Sequence, residues 1–103
     1  MTNIKYLLFF LFIFSLITKG VFAIALPEDK PTGFVNDYAG ILGVKQKNSL
    51  EQTLQQFQTE TSNEISVVTI QTLDGAEVSD YANQLFRKWG IGSKQNNNGV
   101  LML

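Results

Sequence analysis

Cysteine and histidine are both absent from the 103-residue chain, and proline occurs only twice. Without cysteine, no disulfide can brace a small core. Without both residue types, no Ser-His or Cys-His nucleophile pair can be assembled, and the usual zinc ligands are missing. Any metal would therefore be a hard ion held by oxygen, calcium or magnesium. Charge is sparse as well, with 8 basic and 9 acidic residues, a net charge of −1 and no basic run. That gives no electrostatic case for nucleic-acid binding.

Hydrophobic residues make up 45% of the chain, but many of them crowd into the first 25 positions. Lys5 precedes an apolar run from Tyr6 to Ile17, and Ala23-Ile24-Ala25 follows as a small-x-small cleavage signal. This is the pattern of a secretory signal peptide over residues 1–25, cut after Ala25, with a cut after Ala23 as the alternative. An uncleaved membrane anchor is the competing reading. A spanning helix needs about 20 consecutive apolar residues, and Lys19 and Gly20 interrupt this run. No cysteine is present for lipid attachment. Removing the segment takes away Lys5 and Lys19, leaving six basic against nine acidic residues over 26–103. A remainder of this size is marginal for an independent core.

Residues 26–33 hold both prolines and three charges, the composition of an extended linker. The stretch Phe34 to Leu42 then places Asn36 and Asp37 among Phe34, Val35, Tyr38, Ile41 and Leu42. Asn and Asp accept hydrogen bonds from nearby backbone, which predicts a turn or helix cap here. Leu50, Leu54, Phe57 and Thr61 share one helical face, which predicts a helix over Val44–Thr61, with Glu51 on its wet side. Glu64 to Thr72 is rich in β-branched residues and reads as a strand buried on both faces. Leu73-Asp74-Gly75 turns the chain. Val78, Tyr81, Ala82, Leu85, Phe86 and Trp89 form a wide stripe that predicts a second helix over Val78–Trp89. Gly90 suits its C-terminus. A loop over 91–99 leads into a second strand at Val100, giving a parallel strand-helix-strand unit. A chain stopping inside an apolar strand reads as the incomplete front part of a longer domain.

Gly90-Ile91-Gly92-Ser93-Lys94 has the look of a phosphate loop but the wrong order and setting. It follows a helix, and Gly-Lys-Ser/Thr is not formed. The Asn96-Asn97-Asn98-Gly99 run reads as a turn, because Asn and Gly both tolerate the left-handed conformation. Glu77 and Asp80 are explained by the dipole at the start of the second helix. The acids with a stronger case are Asp37 and Asp74. The start of the first helix and the loop after the strand both belong at the carboxyl ends of a parallel sheet, where open α/β sheets bind ligands. The Asn loop belongs at the opposite edge and shares no site with Asp37.

Read together, these segments resemble the TPM domain family. The likeness is carried by Phe34-Val35-Asn36-Asp37-Tyr38-Ala39-Gly40-Ile41-Leu42, Leu50-Glu51-Gln52-Thr53-Leu54 and Glu64-Ile65-Ser66-Val67-Val68-Thr69-Ile70. It continues through Asp80-Tyr81-Ala82, Leu85-Phe86 and Trp89-Gly90-Ile91-Gly92, and ends in Asn98-Gly99-Val100-Leu101-Met102-Leu103. The resemblance implies an α/β/α sandwich with a mostly parallel sheet, here stopping after the second strand, over residues 34–103. It also implies an exported protein, often membrane-tethered. Some members of the family look like weak acid phosphatases, and some bind divalent metal through acidic residues.

Asp37 matches the family's Asn-Asp-Tyr acid, whereas the acid that commonly precedes Asn-Gly is Asn97 here. The expectation is an exported, periplasmic or extracellular TPM domain that serves as a binding or assembly-support module at the cell envelope. The alternative is a divalent-metal-assisted acid phosphatase with calcium or magnesium on Asp37 and Asp74. The corresponding partners are an envelope protein or a small phosphoester, with membrane contact only through an uncleaved signal or a further C-terminal segment.

Overall fold

The computed structural model describes residues 3–6, 23–27 and 29–103. The expected export segment therefore falls largely outside the described residues. Within them the order is β1 (Val35–Asp37), α1 (Val44–Thr61), β2 (Glu64–Thr69), α2 (Val78–Trp89) and β3 (Gly99–Met102). The three strands form one parallel sheet in the order β1-β2-β3. The fold class is α/β, as the helix and strand periodicities require. Both helices begin and end where their apolar stripes and flanking residues place them.

The opening stretch holds the expected turn, at Tyr38–Ala39, but its first part is an unexpected strand: Val35, Asn36 and Asp37 pair with Val67, Val68 and Thr69 of β2. The sheet thus has three strands among the described residues, one more than the two read from the sequence. A three-residue strand with two consecutive polar residues has no period-2 signal. It forms because Val35 is buried and because side chains from elsewhere satisfy its backbone. Glu51 of α1 supplies one such bond pair, accepting the N–H groups of Phe34 at 2.8 Å and Val35 at 2.7 Å. Glu51 is accordingly half-buried, not on the wet side of its helix. Gly33 makes room for it, since a Cβ there would lie 2.6 Å from Glu51 Oε1. β2 is also shorter than predicted, ending at Thr69, with Gln71 and Thr72 exposed.

The helices take opposite faces of the sheet. Val68 of β2 packs with Tyr81 and Leu85 of α2, and Ile70, Leu73 and Leu101 join them. Val68 and Leu85 are almost fully buried, at 1% and 0% exposure, each contributing roughly 1.5–3 kcal/mol of apolar burial. Alternation along β2 turns Ile65 and Val67 to the other face, where Phe57 of α1 lies beside Ile65 and Val100. Ile24 and Leu26 also pack against the Val68–Tyr81–Leu85 cluster. That segment is fastened to the end of α2, where Lys88 Nζ donates to Pro27 O at 2.6 Å and Trp89 Nε1 to Asp29 O at 3.2 Å. The stretch ahead of β1 thus contributes to the core.

Candidate functional site

Asp37 is the last residue of β1 and lies opposite Thr69, the last residue of β2. The Thr69 hydroxyl donates to Asp37 Oδ1 and accepts from the Ala39 N–H at 3.2 Å. The chain then folds back on the acid. The Ile41 N–H donates to Oδ1 at 3.2 Å and the Leu42 N–H to Oδ2 at 2.9 Å. The Thr69 hydroxyl above all, then the Leu42 N–H, hold the Asp37 carboxyl below the ordinary aspartate value. Partial desolvation opposes this, while the Ile41 N–H and the charge of Lys47 reinforce it. A carboxylate offers about four acceptor positions, and three are filled.

The neighbours of Asp37 in the sequence also have structural partners. Asn36, at 3% exposure, accepts from the Thr32 N–H at 2.9 Å and donates to Gly33 O at 2.9 Å. It thereby shapes the turn that leads into β1. Tyr38 lies against Trp89 with ring centroids 6.4 Å apart and a 52° tilt. Two large apolar side chains stand in solvent here: Ile41 of the loop is 71% exposed, and Val44, the first residue of α1, is 80% exposed.

Asp74 lies at the same end of the sheet in a different setting. It occupies the turn after β2, with φ of 48°, followed by Gly75 at 82°, and the Ala76 N–H closes the turn on Leu73 O at 2.9 Å. Asp tolerates this left-handed backbone, and the Asp74 side chain is exposed. Its charge reaches Tyr81, whose phenol is raised first by burial and then by Asp74 and Tyr38. Asp74, Glu77 and Asp80 line a cavity of about 510 Å³ walled on one side by Ala23, Ile24 and Ala25; Asp37 is not part of that lining. Glu77 caps α2, accepting the Asp80 N–H at 3.0 Å. The backbone N–H groups of Ser79 and Asp80 lower its carboxyl. Among the described residues no group of three or more acids is arranged to hold a metal ion.

The Asn loop lies at the amino end of the sheet, away from Asp37. Gly99 pairs with Glu64 at the start of β2. Asn98 binds three segments. Its Oδ1 accepts the Ser93 N–H at 2.7 Å, its Nδ2 donates to Ser62 O, and its main-chain oxygen accepts the Glu64 N–H at 2.9 Å. Glu64 Oε2 in turn accepts the Gly92 N–H at 3.0 Å. The roles of Thr69, Glu51 and Asn98 were not legible in the sequence, because each has at least one partner 16 or more residues away. For Asp37 the local signal was sufficient, since two of its donors lie four and five residues ahead.

The comparisons with known proteins agree with this architecture. The TPM domain family model matches residues 35–103. Among solved structures, the chain is similar to the N-terminal domain of a protein from P. gingivalis, determined in solution by NMR. The two are 32% identical with a TM-score of 0.65, over 77% of this chain and 55% of that one. The chain thus spans little more than half the length of that solved domain. No curated protein matches the chain. A parallel α/β sheet whose opening Asn-Asp-Tyr closes the β1–α1 loop, together with a family match over two thirds of the sequence, shows that the chain belongs to the TPM domain family.

Proposed function

We propose that the protein is an exported TPM domain acting as a binding or assembly-support module at the cell envelope. The observation that carries this reading is the use made of Asp37. Its carboxylate is engaged by the Ile41 and Leu42 N–H groups and the Thr69 hydroxyl, which fixes a loop presenting Ile41, and the α1 start presenting Val44, to solvent. Exposed apolar side chains held on a braced loop suit contact with another protein. Export rests on the apolar N-terminal run and the Ala23-Ile24-Ala25 signal. The test is a photo-reactive residue placed at position 44 in cells. A discrete adduct from position 44, absent from the exposed α1 position 52, is the expected result. No adduct from either position would remove the proposal.

A second reading is favoured by the ionised state of Asp37 and its one remaining acceptor position. A calcium or magnesium ion would be held by Asp37 and Asp74 and would polarise a phosphoester oxygen as a Lewis acid. Calcium takes six to eight oxygen ligands, so backbone carbonyls and water would have to complete two carboxylates. Calorimetry with calcium on wild type and on Asp37→Ala separates the readings. Phosphomonoester turnover with Asp37→Asn does so independently. Binding and turnover that both vanish in the Asp37 variants would establish the enzyme reading over the first.

A further inference from the structure

The end of α2 and the loop from α2 to β3 line an open cavity of about 570 Å³ at the amino end of the sheet, within the size range of small-ligand sites. Phe86 and Ile91 give it apolar walls, and Arg87, Ser93 and Lys94 add two positive charges and a hydroxyl. No acidic residue is part of the lining. Glu64, which touches the loop from β2, is engaged by the Gly92 N–H. Glycines at 90, 92 and 99 line the space without side chains.

We propose that this pocket binds a small amphiphilic organic anion: a carboxylate or phosphate head on an apolar body no smaller than one aromatic ring. The glycine-rich loop does not act here as a backbone phosphate cradle, because the Gly92 and Ser93 N–H groups already donate to Glu64 and Asn98. The charge of a ligand must instead be met by side chains. Arg87 offers a planar fork that matches either head, and Lys94 a point charge. A wholly inorganic anion leaves Phe86 and Ile91 without a partner. A neutral apolar molecule leaves the two cations without one. The pocket lies at the opposite end of the sheet from Asp37, so this inference stands or falls apart from the proposed function.

The test is amide NMR of the full chain titrated with phenyl phosphate and with benzoate, beside inorganic phosphate and benzyl alcohol at matched ionic strength. Saturable shifts are expected at the amides of residues 90–99, with at least one of the two aromatic anions binding about tenfold more tightly than either control. Which of the two binds tells a phosphate from a carboxylate ligand. Arg87→Gln and Lys94→Gln, both at exposed positions, should each weaken that binding about fivefold to tenfold, as charge-assisted hydrogen bonds require. The remaining shifts of these variants should be unchanged, which reports that they fold. Equal binding by inorganic phosphate, equal binding by benzyl alcohol, or affinity indifferent to both substitutions would overturn the proposal.

Discussion

At the carboxyl end of the sheet a charged side chain, Asp37, gathers three donors from β2 and from its own loop. At the amino end a neutral residue, Asn98, links the end of α1 and the loop after α2 through its side chain and the start of β2 through its main-chain oxygen. The first arrangement is local, apart from Thr69, and leaves its loop protruding. The second is long-range, apart from Ser93, and it draws two glycine-containing segments into contact. A Cβ on Gly92 would lie 2.5 Å from Gly99 N, whereas one on Gly40, in the Asp37 loop, would meet nothing within 4 Å. Both glycines have positive φ, 76° and 64°. The difference shows that one end holds a close-packed joint and the other a braced but open loop.

Five measurements test whether the two ends of the sheet differ in this way. Gly92→Ala should be the most damaging, at about 2–4 kcal/mol in urea unfolding. It combines the left-handed backbone cost of about 1–2 kcal/mol with overpacking against Gly99 of about 1–3 kcal/mol. A loss as small as that of Gly40→Ala would dissolve the distinction between the two ends. Glu51→Ala should cost roughly 2 kcal/mol, because it removes two charge-assisted acceptors from the backbone entering β1. Amide exchange at Phe34 and Val35 should rise with it, and unchanged protection there would refute the role given to Glu51.

Asn98→Ala should cost about 1–2 kcal/mol, the range for losing partners of partly buried polar groups. Gly40→Ala should cost about 1 kcal/mol from backbone conformation alone. The smallest effect at neutral pH is expected for Asp37→Asn, since its carboxylate stands partly in solvent. Its signature is pH. The folded value of Asp37 is lowered, so its stabilisation is fully present above the ordinary aspartate range and is lost as pH falls through the lowered value. The stability gap between wild type and Asp37→Asn should therefore be flat at neutral pH and close on acidification. A gap independent of pH would mean that the carboxylate charge is not what holds the loop.

Much of the scaffold was legible without coordinates. The helices over Val44–Thr61 and Val78–Trp89 follow from apolar spacing, and Gly90 ends the second in the left-handed conformation that glycine favours. β1 was not legible, because Asn36 and Asp37 carry turn propensity and their strand geometry is imposed by pairing with Val68 and Thr69. Of the candidate site, the position of Asp37 at the carboxyl end of the sheet was legible from topology. Its Thr69 partner, 32 residues away, was not. Asp74 reads equally as a turn residue and as an acid at that end. The acid-lined cavity beside it depends on where Ala23–Ala25 packs, which no local pattern encodes.

Residue order alone was enough for both helices and for the strands at Glu64 and Val100, because hydrophobic period and terminal residues act over one or two turns of chain. It also excluded thiol and imidazole chemistry through the absence of cysteine and histidine. The tertiary structure decided which polar side chains became architecture. Asp37, Glu51 and Asn98 are ordinary polar residues until the fold brings orphan backbone groups to them. A buried or half-buried N–H without an acceptor is costly, so the fold directs each such side chain to the backbone it can satisfy. In this protein that backbone belongs, wholly or in part, to another segment of the chain.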